Sequence, residues 1–150
     1  VSDRFQPTIM RLYQSIMAVR YIWLCCILMY VMSIEKIEKN GTVCAVVRSD
    51  AIVITDAQSA LDLLMTAKYD LVTKNIVIDK KLIKEEFFIL SSGLAGDILQ
   101  KYINYGGQIA IYGNFSHYTS KPLHDFIYES NKGHDVFFAA TEDESVDCLC

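Results

Sequence analysis

The sequence predicts an α/β domain with a mixed sheet of five or six strands, about four flanking helices and a β-hairpin at its start. Three observations predict it. Short apolar runs rich in Val and Ile alternate with amphipathic stretches of roughly ten to fifteen residues, the mark of βαβ units and a mainly parallel sheet. One such run, Asn75–Ile78 (NIVI), is apolar throughout after its asparagine and so reads as a central strand covered on both faces. Asn40-Gly41 stands between two strand-like segments. It is the strongest short hairpin signal, because a type I′ turn needs positive φ at both central positions, and it adds an antiparallel edge.

Residues 1–31 do not resemble the rest. They carry Arg4, Arg11 and Arg20 against Asp3, a charge of +2, and the chain total of −4 therefore leaves −6 for residues 32–150. Tyr21–Met32 (YIWLCCILMYVM) is a continuous apolar run, but twelve residues are too few to span a bilayer, which needs about 20. Met32-Ser33-Ile34-Glu35 reads like a protein start. The expectation is an extraneous or poorly ordered N-terminal segment, translated from a misplaced start and forming an isolated helix. A membrane anchor or signal segment is the alternative. Residues 32–150 then make a single domain.

From Ile34 the elements follow in order. Ile34–Glu38 alternates apolar and charged residues, and Thr42–Val47 returns as its partner strand. Ala51–Ile54 is expected as a short apolar strand. Asp56 caps a helix whose apolar positions Ala57, Ala60, Leu61, Leu64, Met65 and Ala67 follow the helical period. After NIVI, Lys80–Leu90 begins charged and ends apolar, and is expected to be a short helical turn and connector. Ser91-Ser92-Gly93 opens a second helix with Leu94, Ala95, Ile98, Leu99, Tyr102 and Ile103 as its buried face, stopped at Gly106-Gly107. Gln108–Tyr112 is the next strand. Pro122 starts a helix with Leu123, Phe126 and Ile127 as a buried stripe, and Gly133 is placed as its positive-φ C-cap. Val136–Ala139 is the last strand. Thr141 and Glu144 are expected to form a capping box on a final helix that buries Val146 and Leu149.

The densest polar cluster lies between the Gln108–Tyr112 strand and the Pro122 helix. Asn114, Ser116, His117, Tyr118, Thr119, Ser120 and Lys121 sit where a strand's C-terminal end meets a helix's N-terminal end. Ligands favour that edge of α/β sheets, and free N–H groups with the positive helix end suit an anion. Ordinary turn and cap chemistry by Ser, Thr and Asn is the competing reading. Asp125 and Tyr128 extend the candidate surface along the helix. An exposed tyrosine face would favour a protein partner, where tyrosine is enriched.

Other chemistries find little support. An acidic domain without Lys/Arg clusters argues against nucleic acid. The five cysteines form no CxxC pair and read as reduced thiols of a cytoplasmic protein. His117, His124 and His134 are the three histidines, but no G-x-S-x-G elbow accompanies them, so no catalytic residues are assigned. His124-Asp125 and His134-Asp135 are adjacent pairs that point apart, so no metal is expected. Gly93–Gly96 lacks the Lys-Ser/Thr that grips phosphate, and no cofactor is expected.

The segment FFILSSGLAGDILQKYINYGGQIAIYGNFSHYTSKPLHDFIYESNKGHDVFFAATEDESVDCL, with its YTSKPLHDFIYESNKG run above all, resembles the bacterial family numbered 4180 among domains of unknown function. That resemblance spans about Ile34 to the C-terminus and implies a cytosolic bacterial domain. The order of elements, with Asn75–Asp79, then Ser91-Ser92-Gly93-Leu94 opening a helix, then Gly107-Gln108-Ile109, is similar to the STAS domain of sulfate transporters and anti-sigma-factor antagonists. In signalling STAS domains the serine before the glycine is phosphorylated by a partner kinase, which makes Ser92 the candidate phospho-acceptor. Leu90 stands where that family has aspartate, and the Lys80–Leu90 connector is longer. The competing reading makes Ser92 a simple N-cap.

Two functions are therefore expected. The first is a non-catalytic regulatory domain that binds an unidentified partner protein and is switched at Ser92. The alternative is a small anionic ligand, or an unrecognised enzyme activity, at the Asn114–Lys121 turn. No membrane association is expected for residues 32–150.

Overall fold

In the computed structural model the described residues are 32–150, and the expected helix within residues 1–31 lies outside them. β1 (Met32–Lys39) and β2 (Thr42–Ser49) form the hairpin, with Asn40 and Gly41 at φ of 52° and 79° as a type I′ turn demands. There follow α1 (Ala57–Asp70), β3 (Asn75–Asp79), α2 (Leu94–Asn104), β4 (Gln108–Tyr112), α3 (Lys121–Lys132), β5 (Val136–Ala139) and α4 (Glu142–Leu149). The five strands lie side by side in chain order, β1-β2-β3-β4-β5. β2 to β5 run parallel, with β3 and β4 in register from Asn75↔Gln108 to Asp79↔Tyr112.

Alternation along the strands assigns the two faces. Cys44, Val46 and Val77 share one face and pack on Val146 of α4. Ala45, Val47, Ile76, Ile78, Ile109 and Ile111 lie on the opposite face and are buried. Crossovers between parallel neighbours are right-handed. Three of them in the same direction place α1, α2 and α3 together on that opposite face. Fully buried Tyr102 joins α2 to α1, its hydroxyl donating to the Ala60 carbonyl at 3.0 Å. α3 covers β5, where Phe126 meets Phe138 edge to face at 5.8 Å. The Asn131 amide also bonds both backbone groups of Phe138, at 2.7 and 3.1 Å, and so occupies part of the strand edge.

Several details correct the sequence reading. Ala51–Ile54 is no strand. It makes a single parallel bridge, Ile54↔Ile83, because its only partner is the short Leu82–Lys84 segment past the end of β3. The Lys80–Ser92 connector is three consecutive 3-10 turns, Lys80–Leu82, Glu85–Phe88 and Leu90–Ser92. Gly133 has φ −85°, since the chain leaves α3 directly into extended backbone. The left-handed exit occurs instead at Gly106 (φ 66°) after α2, where the Gly107 N–H returns to the Tyr102 carbonyl at 2.7 Å. The Thr141 hydroxyl accepts from Glu144 N–H, but Glu144 takes the Ala140 N–H rather than that of Thr141, so the expected box is offset by one residue. Ile103 is 53% exposed, and Phe126, Ile127 and Leu149 are half-buried. No described helix is long and apolar enough to cross a membrane.

Candidate functional site

Register places the site. Asp79 and Tyr112 are partners across the β3–β4 ladder, so the chain segments leaving those strands start side by side. One is the Lys80–Gly93 connector and the other is the Gly113–Ser120 turn. Gly113 makes their contact possible. It has φ +152°, and a Cβ there would meet the Lys80 stem at 3.0–3.2 Å.

The Lys80 ammonium then reaches under the turn. It lies 4.4 Å from the Tyr118 ring centroid, 5.7 Å from Phe115 and 5.8 Å from Phe88. It also donates to the Asn114 carbonyl at 3.1 Å and to His117 Nε2 at 3.3 Å. The rings hold one another: Phe88 stacks on Tyr118 at 5.3 Å, and Phe115 meets Phe138 edge to face at 5.6 Å. Two hydrogen bonds fix Tyr118 from either side. Its hydroxyl donates to Glu85 at 2.8 Å, and its carbonyl accepts from His124 Nε2 at 2.6 Å. Burial, and then the Glu85 carboxylate, hold the Tyr118 hydroxyl well above the usual phenol range.

Above this aromatic floor the two connectors enclose a cleft of about 450 Å³. Glu85, Phe88, Ile89 and Ser91 line one wall, with Tyr118, Thr119, Ser120 and Pro122 on the other. Ile89 is 52% exposed at its mouth. Beside the cleft, Ser92 is solvent-exposed at the last 3-10 turn. Its hydroxyl donates to the Glu86 carbonyl at 2.7 Å and accepts from Leu94 N–H at 3.2 Å. Gly93, not Ser92, takes the N-cap position of α2. Ser92 therefore pins the Glu85–Phe88 turn and covers a free helix N–H at the same time.

The remaining candidate residues divide. Asn114 and Ser116 close on each other, the Asn114 side chain accepting from the Ser116 N–H at 2.9 Å and its hydroxyl at 2.6 Å. Ser120 caps α3 by accepting from Leu123 N–H. Lys121 points to solvent and pairs with Asp125 at 2.9 Å. Tyr128 is 64% exposed on α3 with the Lys132 ammonium 4.1 Å over its ring, away from the cleft lining. Tyr118, Thr119 and Ser120 thus converge with the Ser91-Ser92 segment, whereas Lys121, Asp125 and Tyr128 form an outer face on the helix.

The family model described as a domain of unknown function, DUF4180, matches residues 39–149. The chain belongs to that family. Both walls of the cleft lie inside the matched span of this DUF4180 domain. No curated protein sequence matches the chain. Among solved structures it is similar to a candidate anti-sigma factor antagonist from Thermotoga maritima, at 12% identity and a TM-score of 0.39, over 77% of this chain and 93% of that one.

Sequence reasoning overlooked Lys80, Glu85, Phe88 and Phe115 as site residues. The signal present was the apolar FFIL end of a charged connector, which has no reason to be apolar unless something covers it. A second cavity, of about 610 Å³, opens on the α4 side past the ends of β2 and β3, lined in part by Arg48, Asp79, Lys81 and Tyr112. Its Arg48 is already engaged. The guanidinium pairs with both oxygens of Glu142 and with Glu35, and the Tyr112 hydroxyl adds a bond to Glu142 at 3.3 Å. No group of three or more metal-ligating side chains occurs among the described residues.

Proposed function

We propose that this DUF4180 domain is a non-catalytic regulatory module of the cytoplasm that docks a partner protein over the cleft between its two connectors, with Ser92 as the residue whose modification changes that surface. One observation carries the reading. Ser91, next to the Ser92 that the STAS resemblance singled out, and the Tyr118–Ser120 segment, singled out by residue type, border one cleft with an apolar floor and an exposed isoleucine at its mouth. Phosphate on Ser92 would end its donation to the Glu86 carbonyl and so release the turn that forms one wall. The α2 N-terminus beside it tolerates the added charge. The alternative, an anionic ligand at the Asn114–Lys121 turn, has less support, because Asn114, Ser116, Ser120 and Lys121 direct their polar atoms at one another, at Leu123 N–H or at Asp125.

The test places a photo-crosslinking residue at Ile89 of the full chain and, as a control, at Tyr69, which is 89% exposed on α1. The expected result is one partner joined from Ile89 and not from Tyr69. Ile89→Asp should abolish its binding without altering the fold, and Ser92→Glu and Ser92→Ala, which both end the donation to the Glu86 carbonyl, should each change its affinity. Equal crosslinking from both sites, or a partner indifferent to Ile89→Asp, defeats the reading. A small molecule that co-purifies and perturbs Thr119 and Ser120 would transfer support to the alternative.

A further inference from the structure

The two edges of the sheet differ. At β5 the Asn131 amide bonds both backbone groups of Phe138 and so blocks that edge. At β1, β2 is the one neighbouring strand, and no other backbone hydrogen bond reaches β1 among the described residues. The hairpin fixes which groups face outward. A two-residue type I′ turn makes its flanking residues, Lys39 and Thr42, a hydrogen-bonded pair, so every second residue back from Lys39 bonds to β2. Ile34, Lys36 and Glu38 therefore aim their N–H and C=O groups away from the sheet. The side chains carry a pattern of their own. Glu35, Lys36, Glu38 and Lys39 are all exposed. Glu35 and Lys39 pair with Arg48 and Asp147 on the α4 side, whereas Lys36 and Glu38 take part in no ion pair among the described residues. Ile37, between them, is half-buried against the cluster of Cys44, Val46 and Val146.

We infer that β1 pairs antiparallel with β1 of a second copy across a two-fold axis at Ile37, joining two five-stranded sheets into one continuous sheet. Centred there, Lys36 and Glu38 of each copy face Glu38 and Lys36 of the other, as hydrogen-bonded pairs that use the outward backbone groups. Glu35 faces the second copy's Lys39. Ile37 meets its own equivalent as a non-hydrogen-bonded pair, where side chains approach most closely. Every charge in the strand thus meets an opposite charge. The neighbouring centres fail. An axis at Lys36 or at Glu38 opposes that residue to itself, and an axis at Glu35 does the same. Charges on an edge strand ordinarily guard it against other strands. This order keeps that guard and admits a second copy of the same chain.

The experiment is sedimentation velocity of the full chain across a concentration series, with charge reversals on β1. The parent is expected to dimerise. Lys36→Glu and Glu38→Lys each turn both Lys36–Glu38 contacts repulsive, and each should raise the dissociation constant by roughly tenfold. The two variants mixed in equal amounts set opposite charges against each other again. They should form a heterodimer about as tight as the parent dimer, as should the doubly reversed Lys36→Glu/Glu38→Lys chain. That recovery separates lost pairing from a chain that fails to fold. In the concentrated parent the Lys36 and Glu38 amides should also exchange more slowly than in the dilute chain. A parent that stays monomeric throughout, a dimer indifferent to both single reversals, or a mixture no tighter than either variant alone overturns the inference. A dimer whose Lys36 and Glu38 amides gain no protection does so as well.

Discussion

Lys80→Met separates the ammonium from its stem and tests whether the cation organises the candidate site. Methionine keeps the methylene contacts with Gly113 and removes the charge. The ammonium faces three rings, but only Tyr118, at 4.4 Å, is near the optimum; Phe115 and Phe88 lie close to the limit at 5.7 and 5.8 Å. The cation–π contribution is then about 1 kcal/mol for this half-buried group. The hydrogen bond to the Asn114 carbonyl adds roughly 0.5–1.5 kcal/mol. The expected loss is about 1.5–2.5 kcal/mol. With a urea m-value of about 2 kcal/mol/M, that moves the unfolding midpoint down by roughly 1 M. Resonances of residues 113–118 should broaden or shift, while those of β5 and α4 stay. A cycle with Tyr118→Leu should return a coupling of about 0.5–1 kcal/mol. A Lys80→Met variant within about 0.3 kcal/mol of the parent, or strict additivity with Tyr118→Leu, would refute the view that this cation holds the turn.

Two further perturbations test the surrounding fold. A Cβ at Gly107 would lie 2.6 and 2.8 Å from the Leu64 methyls and 3.0 Å from the Tyr102 ring, both fully buried, whereas one at Gly96 in α2 meets open space. Gly107→Ala should therefore cost about 1–3 kcal/mol and Gly96→Ala should add about 0.5–1 kcal/mol, measured by denaturant unfolding; the same sign for both would defeat the packing assignment. Glu142 sits below its ordinary value of 4.5, chiefly through its hydrogen bond and charge pairing with Arg48. Its contribution is thus present above that value and is lost as the pH falls through it toward the folded-state value, so Tm should decline less steeply in Glu142→Gln than in the parent between about pH 5 and pH 3. Parallel Tm curves would show that the pair contributes nothing.

The fold was legible wherever one period dominated. NIVI became the central β3, the Asn40-Gly41 turn set the hairpin, and the α1 and α2 apolar positions faced the core apart from Ile103. The misses share a cause in pairing that no local pattern encodes. Ala51–Ile54 has strand composition, but extends past the sheet to where only three residues can meet it. Lys80–Ser92 follows neither a period of 2 nor of 3.6, and its three 3-10 turns are set by caps such as Asp79 accepting from Lys81 N–H. Gly133 had the right residue type for a left-handed C-cap, yet the immediate entry into β5 took the extended alternative.

The site was half legible for a topological reason. Residue type singled out the Asn114–Lys121 turn and the STAS resemblance singled out Ser92, but nothing local says that Lys80 and Phe88 lie beneath Tyr118. Strand order says it. In doubly wound sheets the crossovers reverse direction, and ligands enter the crevice at that reversal. Here β2 through β5 advance in one direction, with α1 to α3 on one face, so the parallel run has no reversal to open such a crevice. The concave surface arises instead between successive connectors. Because Asp79 pairs with Tyr112, the next residues, Lys80 and Gly113, emerge in contact, and a side chain at Gly113 would force them apart. The long 3-10 connector after β3 then runs against the turn after β4, and Phe88 from its apolar end joins Phe115 and Tyr118 in the floor. The length of that connector, which in sequence looked like a departure from the STAS pattern, is what gives this chain a cleft.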